Sequence, residues 1–156
     1  MKTNVVSCHV DDNLQAVALL MWNNDCGCIP VVDSASKPIG IVTDRDIAMG
    51  CSLNNRTLWD MQAGDIVNGR PLFSCNEADD ITGALALMHD HQVRRLPVTD
   101  GSGQLCGILS VSDVITAAQK KPGRGKTDKK LSFDQLVDTL KALSIPHSQT
   151  LSAKAG

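Results

Sequence analysis

The eight residues GIVTDRDI, from Gly40 to Ile47, support two interpretations of their role. A glycine and two apolar residues lead into Thr43-x-x-Asp46, and a hydroxyl followed three residues later by an acid is typical of a helix N-terminus. The same pair, with Arg45 between them, also suits a nucleotide, because helix N-termini favour phosphate and a carboxylate accepts hydrogen bonds from ribose hydroxyls. The stretch predicts a strand-to-helix turn and leaves its binding role open.

A similar stretch, GILSVSDV, occurs 67 residues later at 107–114. When residues 5–47 are aligned with residues 72–114 without a gap, 11 of 43 positions are identical. Most of the remaining pairs are conservative apolar replacements. A constant register over this length indicates an internal duplication.

Each copy predicts the same order of elements. Short extended pieces at 5–6 and 72–73 precede a helix that opens at an acidic cluster, at 11–13 and at 77–80. A β run around a proline, a turn, a second strand and a short helix follow. Two apolar stripes at helical spacing support the first helix of each copy: Leu14, Val17, Ala18 and Met21, then Ile81, Ala84, Leu85 and Met88. The predicted class is α/β (α+β), with a β-α-β-β-α unit occurring twice.

The predicted domains are a first repeat at 1–56, a second repeat at 57–118, a basic linker at 119–131 and an amphipathic helix at 132–145. Residues 50–70 connect the copies, and we expect a short turn of helix near Leu58–Met61.

Ser132 is the expected N-cap of the last helix, with Gln135 at the capping-box position. Its apolar stripe comprises Phe133, Leu136, Val137, Leu140 and Leu143. The stripe is expected to pack on the protein's own body or on a dimer mate. A docking role for another protein and binding to a membrane surface are the alternatives.

Composition limits the classes of function. With 156 residues and 42% apolar content, the chain is long enough for one well-packed core. Residues 1–118 carry a net charge of −7 and residues 119–156 carry +5, so the body is a poor surface for nucleic acid. The apolar runs are too short to span a bilayer, and no secretory signal is visible, which predicts a cytoplasmic protein away from membranes.

Neither a metal site nor a catalytic centre is predicted. Cys26-Gly27-Cys28 has no second cysteine pair at metal-ligand spacing, and the six cysteines of a cytoplasmic chain are expected to be reduced. His89 and His91 are expected on a helix surface. We find no nucleophile with a base at motif spacing, and therefore expect a protein that is not an enzyme.

The repeated pattern resembles a tandem pair of CBS domains, the regulatory module named after cystathionine β-synthase. The resemblance covers residues 1–118 and rests on the acidic helix starts, IPVVD and RRLPVTD, and the paired GIVTDRDI and GILSVSDV stretches. It implies a pseudo-two-fold module, a homodimer, and two clefts for adenosine-containing ligands such as AMP, ADP, ATP, S-adenosylmethionine or NAD. No cofactor is required.

In this family a cleft takes its adenine side from one repeat and its hydroxyl-x-x-Asp turn from the other. By that resemblance, one cleft joins Val6, Cys26, Cys28 and Pro30 to Ser110, Ser112 and Asp113. The other cleft joins Phe73, Val93, Arg94, Arg95 and Pro97 to Thr43, Arg45 and Asp46. The second set holds all three arginines, so the Thr43/Asp46 cleft is expected to bind phosphate better.

The leading hypothesis is a regulatory module that senses an adenosine ligand and acts on an unidentified protein partner or on its own oligomer. A structural or interaction module without nucleotide is the alternative. Binding of nucleic acid through the basic tail is a third hypothesis, which predicts salt-dependent association.

Overall fold

A computed structural model describes residues 5–119 and 133–144. The elements of the first repeat are β1 (Cys8–His9), α1 (Leu14–Asn23), β2 (Cys28–Val32), β3 (Pro38–Thr43) and α2 (Asp44–Asn54). A short helix, α3 (Ala63–Val67), follows. The second repeat comprises β4 (Cys75–Asn76), α4 (Ile81–His91), β5 (Arg95–Thr99), β6 (Leu105–Ser110) and α5 (Val111–Gln119), and α6 (Phe133–Ser144) is the last helix. The duplicated β-α-β-β-α order is confirmed.

Each repeat builds a three-stranded sheet, in the order β1-β2-β3 and β4-β5-β6. In the first sheet β1 runs parallel to β2, and β2 pairs with β3 in antiparallel fashion. In the second sheet β4 runs parallel to β5. The described residues fall into two compact units, a larger one that includes residues 5–77 and 97–107 and a smaller one that includes residues 78–96, 108–119 and 133–144.

The first strand of each repeat begins later than predicted. Cys8 pairs with Val31 and Cys75 pairs with Val98, while 5–6 and 72–73 lie outside the strands. Pairing explains the shift, because these two-residue strands exist only where they run beside β2 and β5. The apolar residues at 5–6 and 72–73 gave no sequence signal for the register in which β1 pairs with β2 and β4 pairs with β5.

The first helix of each repeat opens at the predicted polar cluster, with the acids just ahead of the helix. The Asn13 side chain caps α1 by accepting from the backbone N–H of Ala16. Asp80 caps α4 by accepting from the backbone N–H of Thr82. Of the predicted helical stripes, Leu14, Val17, Met21, Ala84, Leu85 and Met88 are buried.

The connecting helix lies further along the chain than predicted. Residues 58–60 form a turn, and α3 occupies Ala63–Val67. Gln62 is extended and forms a bridge with Asn13, and the backbone N–H of Leu14 donates to the carbonyl of Met61. The connection thereby contributes to the core of the larger unit, which comprises Cys8, Leu14, Val17, Met21, Ile29, Val31, Val42, Ile47, Met61, Ala63, Ile66 and Val67.

Gly40, which opens the GIVTDRDI stretch, has a packing reason to be glycine. A Cβ atom at this position would lie 2.5 Å from the Cβ of Val67. Because Gly40 has no side chain, α3 can approach β3 closely at this position.

In the smaller unit, α6 packs against α4. Leu136, Thr139 and Leu143 of α6 are buried, whereas Leu140 is 38% exposed. The predicted packing of α6 on the protein's own body is confirmed. The expected capping by Ser132 and Gln135 lies outside the residues and side chains that the structure describes.

Candidate functional site

The Thr43–Asp46 turn is a complete capping box at the start of α2. The backbone N–H of Asp46 donates to Thr43 Oγ1 over 3.1 Å, and the backbone N–H of Thr43 donates to Asp46 Oδ2 over 3.0 Å. The Thr43 hydroxyl also donates to Asp46 Oδ2, with 2.6 Å between the oxygens. These bonds satisfy N–H groups that a helix start otherwise leaves without partners, so the helix-start interpretation is confirmed.

The corresponding Ser110–Asp113 turn in the second repeat has the same geometry. The Ser110 backbone N–H and hydroxyl donate to Asp113 Oδ2 over 2.9 and 2.6 Å. The Asp113 backbone N–H donates to Ser110 Oγ over 3.2 Å. Capping of the helix start therefore accounts for the presence of a hydroxyl and an acid at both turns without a ligand.

Arg70 forms an ion pair with Asp46 Oδ1, the carboxylate oxygen that takes no part in the capping box. Its Nη1 atom lies 2.7 Å from Asp46 Oδ1, and the side chains of Arg70 and Asp46 are 57% and 22% exposed. The sequence analysis missed Arg70, because it lies 24 residues from Asp46 in a connection with no motif. Its position depends on α3, whose last residue, Val67, accepts from the backbone N–H of Arg70.

Both capping acids are held in their charged forms. Burial raises the pKa of Asp46, but hydrogen bonds from Thr43 and Arg70 outweigh burial, and the pKa lies below its ordinary value. Burial likewise raises the pKa of Asp113, and hydrogen bonds from Ser110 help bring it below the ordinary value. Each turn thus carries a carboxylate at neutral pH.

The N–H groups at the start of α2 are already bonded within the protein, so they are not free for the phosphate that the sequence suggested at this helix N-terminus. The backbone N–H of Asp44 donates to the carbonyl of Gly27 over 3.3 Å, and the backbone N–H of Arg45 donates to Asp44 Oδ1 over 2.7 Å. The Asp46 N–H is bonded to Thr43, as described above. An anion at this turn would depend on the side chains of Arg45 and Arg70 and on the helix dipole.

The remaining candidate residues divide by exposure. Arg45, Arg94 and Ser112 are exposed, while Cys28, Pro30 and Pro97 are buried in strands. Val6, Cys26, Phe73, Val93 and Arg95 are partly buried. The structure pairs Cys28 with Thr43 across β2 and β3, and so joins two residues that the sequence assigned to different clefts. The cross-repeat composition of the clefts stays a prediction.

Arg94 contacts the last helix. Its Nη2 atom donates to the backbone carbonyl of Leu143 over 2.8 Å. This carbonyl lies in the last turn of α6, where the helix dipole favours a cation. Arg94 therefore already has a structural partner, which the sequence analysis did not anticipate.

The cysteines and histidines form no metal-binding group of three or more in the part of the chain that the structure describes. All six cysteines are free thiols. Burial, assisted by the charge of Asp12, raises the pKa of Cys8 to about 12, so this thiol is a core residue and not a nucleophile. His89 and His91 are exposed on α4, as predicted.

Over residues 5–119 and 133–144, no helix combines the length and the apolar character that crossing a membrane requires.

Comparison with known proteins places both repeats in one family. The CBS domain family matches residues 1–51 and 63–120. Inosine-5′-monophosphate dehydrogenase of Nitrosopumilus maritimus is 32% identical over 130 residues, which is 80% of this chain and 26% of that enzyme. The chain spans about a quarter or less of the length of the first curated relatives that it matches.

Other relatives match over most of their length. The CBS domain-containing protein YhcV of Bacillus subtilis is 29% identical over 140 residues, which is 87% of this chain and 94% of that protein. A putative signal-transduction protein with CBS domains from Burkholderia ambifaria has a solved structure with a TM-score of 0.67 and 26% identity. The match covers 80% of this chain and 90% of that one.

A solved structure of the CBS domain pair of protein MJ0100, in complex with 5′-methylthioadenosine and S-adenosyl-L-methionine, has a TM-score of 0.62. It is 20% identical to this chain, and the match covers 74% of this chain and 92% of that one. At this identity the match shows a shared fold. With both repeats matched by the family and by the solved structures, the chain belongs to the CBS domain family as a tandem CBS domain pair.

Proposed function

We propose that this CBS pair is a regulatory module that binds an adenosine-containing ligand at the Thr43–Asp46 turn. AMP, ADP and ATP are the leading ligands, with S-adenosylmethionine and NAD as further candidates. The observation that carries the proposal is the ion pair of Arg70 with Asp46, because it adds a second cation beside Arg45 at a helix start. The adenosyl ligands in the MJ0100 complex support the same class of ligand for this fold.

Phosphate recognition in this proposal depends on two arginines. Arg45 is exposed in the first turn of α2, and Arg70 is exposed over more than half of its side chain. Guanidinium groups bind phosphate oxygens through paired hydrogen bonds, and the positive end of the α2 dipole adds to the attraction. Arg70 thereby takes the role that the sequence suggested for Arg94.

Ribose recognition requires Asp46 to have acceptor capacity left. A carboxylate offers about four acceptor positions, and in the structure Thr43 uses two on Oδ2 while Arg70 uses one on Oδ1. One ribose hydroxyl can bond to Oδ1 directly. Both can bond if Arg70 turns from Asp46 to the phosphate, so that the ligand replaces a surface ion pair of small net value.

The ligand acts by favouring one of two states of the module, since a binding protein transmits a signal only through a difference in affinity between states. The output is a partner protein or a change in a homodimer, and the role is binding and not catalysis. We place this activity in the cytoplasm, away from membranes and nucleic acid. A structural module with unoccupied clefts is the alternative.

A thermal-shift screen with AMP, ADP, ATP and S-adenosylmethionine tests the proposal. A ligand that binds the native state raises the melting temperature by mass action, and the shift grows with ligand concentration. We expect a saturable increase with at least one nucleotide. No increase with any of the four would favour the structural module.

A further inference from the structure

The connection carries a chemically reactive dipeptide, Asn68-Gly69, immediately before Arg70. Asn68 is the only asparagine in the sequence that is followed by glycine. A glycine has no Cβ atom, so its backbone nitrogen is open to a carbon atom of the preceding side chain. The nitrogen of Gly69 can therefore reach Cγ of Asn68 whenever the backbone between them turns to the required angle.

Asn68 and Gly69 form a type II β-turn at the end of α3. Asn68 has a φ of −58° and a ψ of 129°, and Gly69 has a φ of 76°. The backbone N–H of Arg70 closes the turn by donating to the carbonyl of Val67 over 3.1 Å. In this geometry the Gly69 nitrogen points away from the Asn68 side chain. Contact between them requires the turn to open by rotation about ψ of Asn68.

Few contacts hold this turn closed. Asn68, Gly69 and Arg70 are exposed, and a Cβ atom added to Gly69 would meet nothing within 4 Å. Among the described residues, neither the Asn68 side chain nor the Gly69 N–H has a hydrogen-bond partner. The Arg70 N–H and the surface ion pair of Arg70 with Asp46 hold the turn. Two contacts of this kind allow local opening without unfolding of the core.

A second dipeptide with the same potential chemistry is held in place. Asp100 precedes Gly101, and its Oδ1 accepts from the backbone N–H groups of Ser102 and Gln104 over 2.8 and 2.9 Å. The Ser102 hydroxyl donates to the same oxygen over 2.7 Å. These hydrogen bonds, with that of the Ser102 side chain first, hold the pKa of Asp100 below its ordinary value. A fixed carboxylate resists attack by a backbone nitrogen, so this dipeptide is expected to stay intact.

We propose that Asn68 is a site of spontaneous deamidation and that the reaction releases Arg70 from Asp46. The Gly69 nitrogen attacks Cγ of Asn68, and the new N–Cγ bond closes a succinimide ring. The side-chain amide nitrogen leaves as ammonia and takes the proton of the Gly69 nitrogen. Water then opens the ring. Cleavage of the N–Cγ bond gives aspartate, and cleavage between the nitrogen and the main-chain carbonyl carbon gives isoaspartate, in which the backbone runs through Cβ and Cγ.

Both products disturb the contact of Arg70 with Asp46. Each places a carboxylate two residues before Arg70, where it competes with Asp46 for the guanidinium group. Isoaspartate also adds an atom to the backbone of the turn, which displaces the Arg70 N–H from the carbonyl of Val67. The modification therefore acts on Asp46 through the loss of its ion pair.

Prolonged incubation of the intact protein at neutral pH tests the modification. Peptide mapping, with fragmentation that distinguishes isoaspartate from aspartate, should show conversion of Asn68 before any other asparagine and an unchanged Asp100. A synthetic peptide of residues 63–72 gives the rate without the fold. One backbone hydrogen bond and one surface ion pair should slow the reaction by no more than about a hundredfold relative to this peptide. Greater slowing, or as much isoaspartate at Asp100 as at Asn68, would overturn the proposal.

Three variants connect the reaction to the ion pair. Asn68→Gln would have to close a larger ring and should abolish conversion at this position. Arg70→Ala removes the ion pair and should speed conversion of Asn68 about two- to fivefold. Arg45→Ala is the matched control, because it removes a neighbouring exposed arginine while Arg70 keeps its pair with Asp46, and it should leave the rate unchanged. Equal rates in Arg70→Ala and Arg45→Ala would contradict the role of the ion pair.

NMR titration of the Asp46 carboxyl carbon tests the release of Arg70. The pKa of Asp46 should rise in the purified isoaspartate form, because the hydrogen bond and charge of Arg70 no longer lower it. Asn68→Asp adds the charge without the extra backbone atom and should raise this pKa less. An unchanged pKa of Asp46 in the isoaspartate form would overturn the release of Arg70. None of these measurements uses a ligand, so their outcome is independent of the proposed function.

Discussion

The Nη1 atom of Arg70 lies 2.7 Å from Oδ1 of Asp46, which joins the connection at 50–70 to the first turn of α2. Asp46 uses its other oxygen to cap its own helix. In our proposal the capping role and the binding role therefore meet on one carboxylate, with one oxygen for each. Asp46 can therefore cap its own helix through Oδ2 and remain a candidate for ribose binding through Oδ1.

The capping role of Thr43 predicts a cost in stability. Thr43→Ala removes the hydroxyl that accepts from the Asp46 N–H and should lower the free energy of unfolding by about 1 kcal/mol. Thr43→Ser reproduces the box formed by Ser110 in the second repeat and should change it by less than about 0.5 kcal/mol. Urea denaturation measures both values. Equal losses in the two variants would contradict the capping role.

The low pKa of Asp46 predicts a dependence of stability on pH. A carboxylate whose pKa is lower in the folded state stabilises the protein above its unfolded pKa, and this contribution is lost as the pH falls through the folded value. The free energy of unfolding should therefore decrease below about pH 4. Asp46→Asn cannot titrate and should show a smaller decrease in urea denaturation between about pH 5 and about pH 2. An unchanged acid dependence in that variant would refute the assignment.

Arg70 should govern the affinity for phosphate-bearing ligands. Arg70→Ala is expected to weaken AMP binding about tenfold, because charge-assisted hydrogen bonds to phosphate are lost, and to leave adenosine binding nearly unchanged. Titration calorimetry measures both affinities. Arg56→Ala is the matched control, since Arg56 lies in the same connection and pairs with Asp65 instead. If Arg56→Ala weakens AMP binding as much as Arg70→Ala, the effect is one of general charge and not of the site.

Gly40 should resist substitution because of its contact with α3. Gly40→Ala brings a Cβ atom against Val67 and should lower the free energy of unfolding by about 1–3 kcal/mol. Val67→Ala in the same protein should recover part of that loss. Gly83→Ala is the control, because a Cβ there meets nothing within 4 Å, and it should be neutral or slightly stabilising. Full stability of Gly40→Ala would mean that α3 does not pack closely on β3.

The duplication made much of the fold predictable. A register of 67 residues and two copies of one pattern led to the order of strands and helices and to both hydroxyl-x-x-Asp turns. These features depend on local spacing, which a sequence displays directly. The ladder between β1 and β2, which sets where the first strand begins, has no such local signal.

Two contacts of candidate residues were beyond local reasoning. Arg70 reaches Asp46 because α3 packs on Gly40, and Arg94 reaches Leu143 because α6 packs on α4. Both depend on packing between segments that are 24 and 49 residues apart. Periodicity predicted that the α6 stripe would be buried, but it carried no information on which arginine would meet the end of that helix.

Calorimetric titration of the intact chain with AMP, ADP, ATP and S-adenosylmethionine tests the central claim most directly. The account predicts saturable heat with at least one of these ligands, and weaker binding of that ligand in Asp46→Asn than in Asp113→Asn. No saturable heat with any of the four would contradict a role as an adenosine-ligand sensor. Loss of binding in Asp113→Asn with full binding in Asp46→Asn would move the site to the Ser110–Asp113 turn.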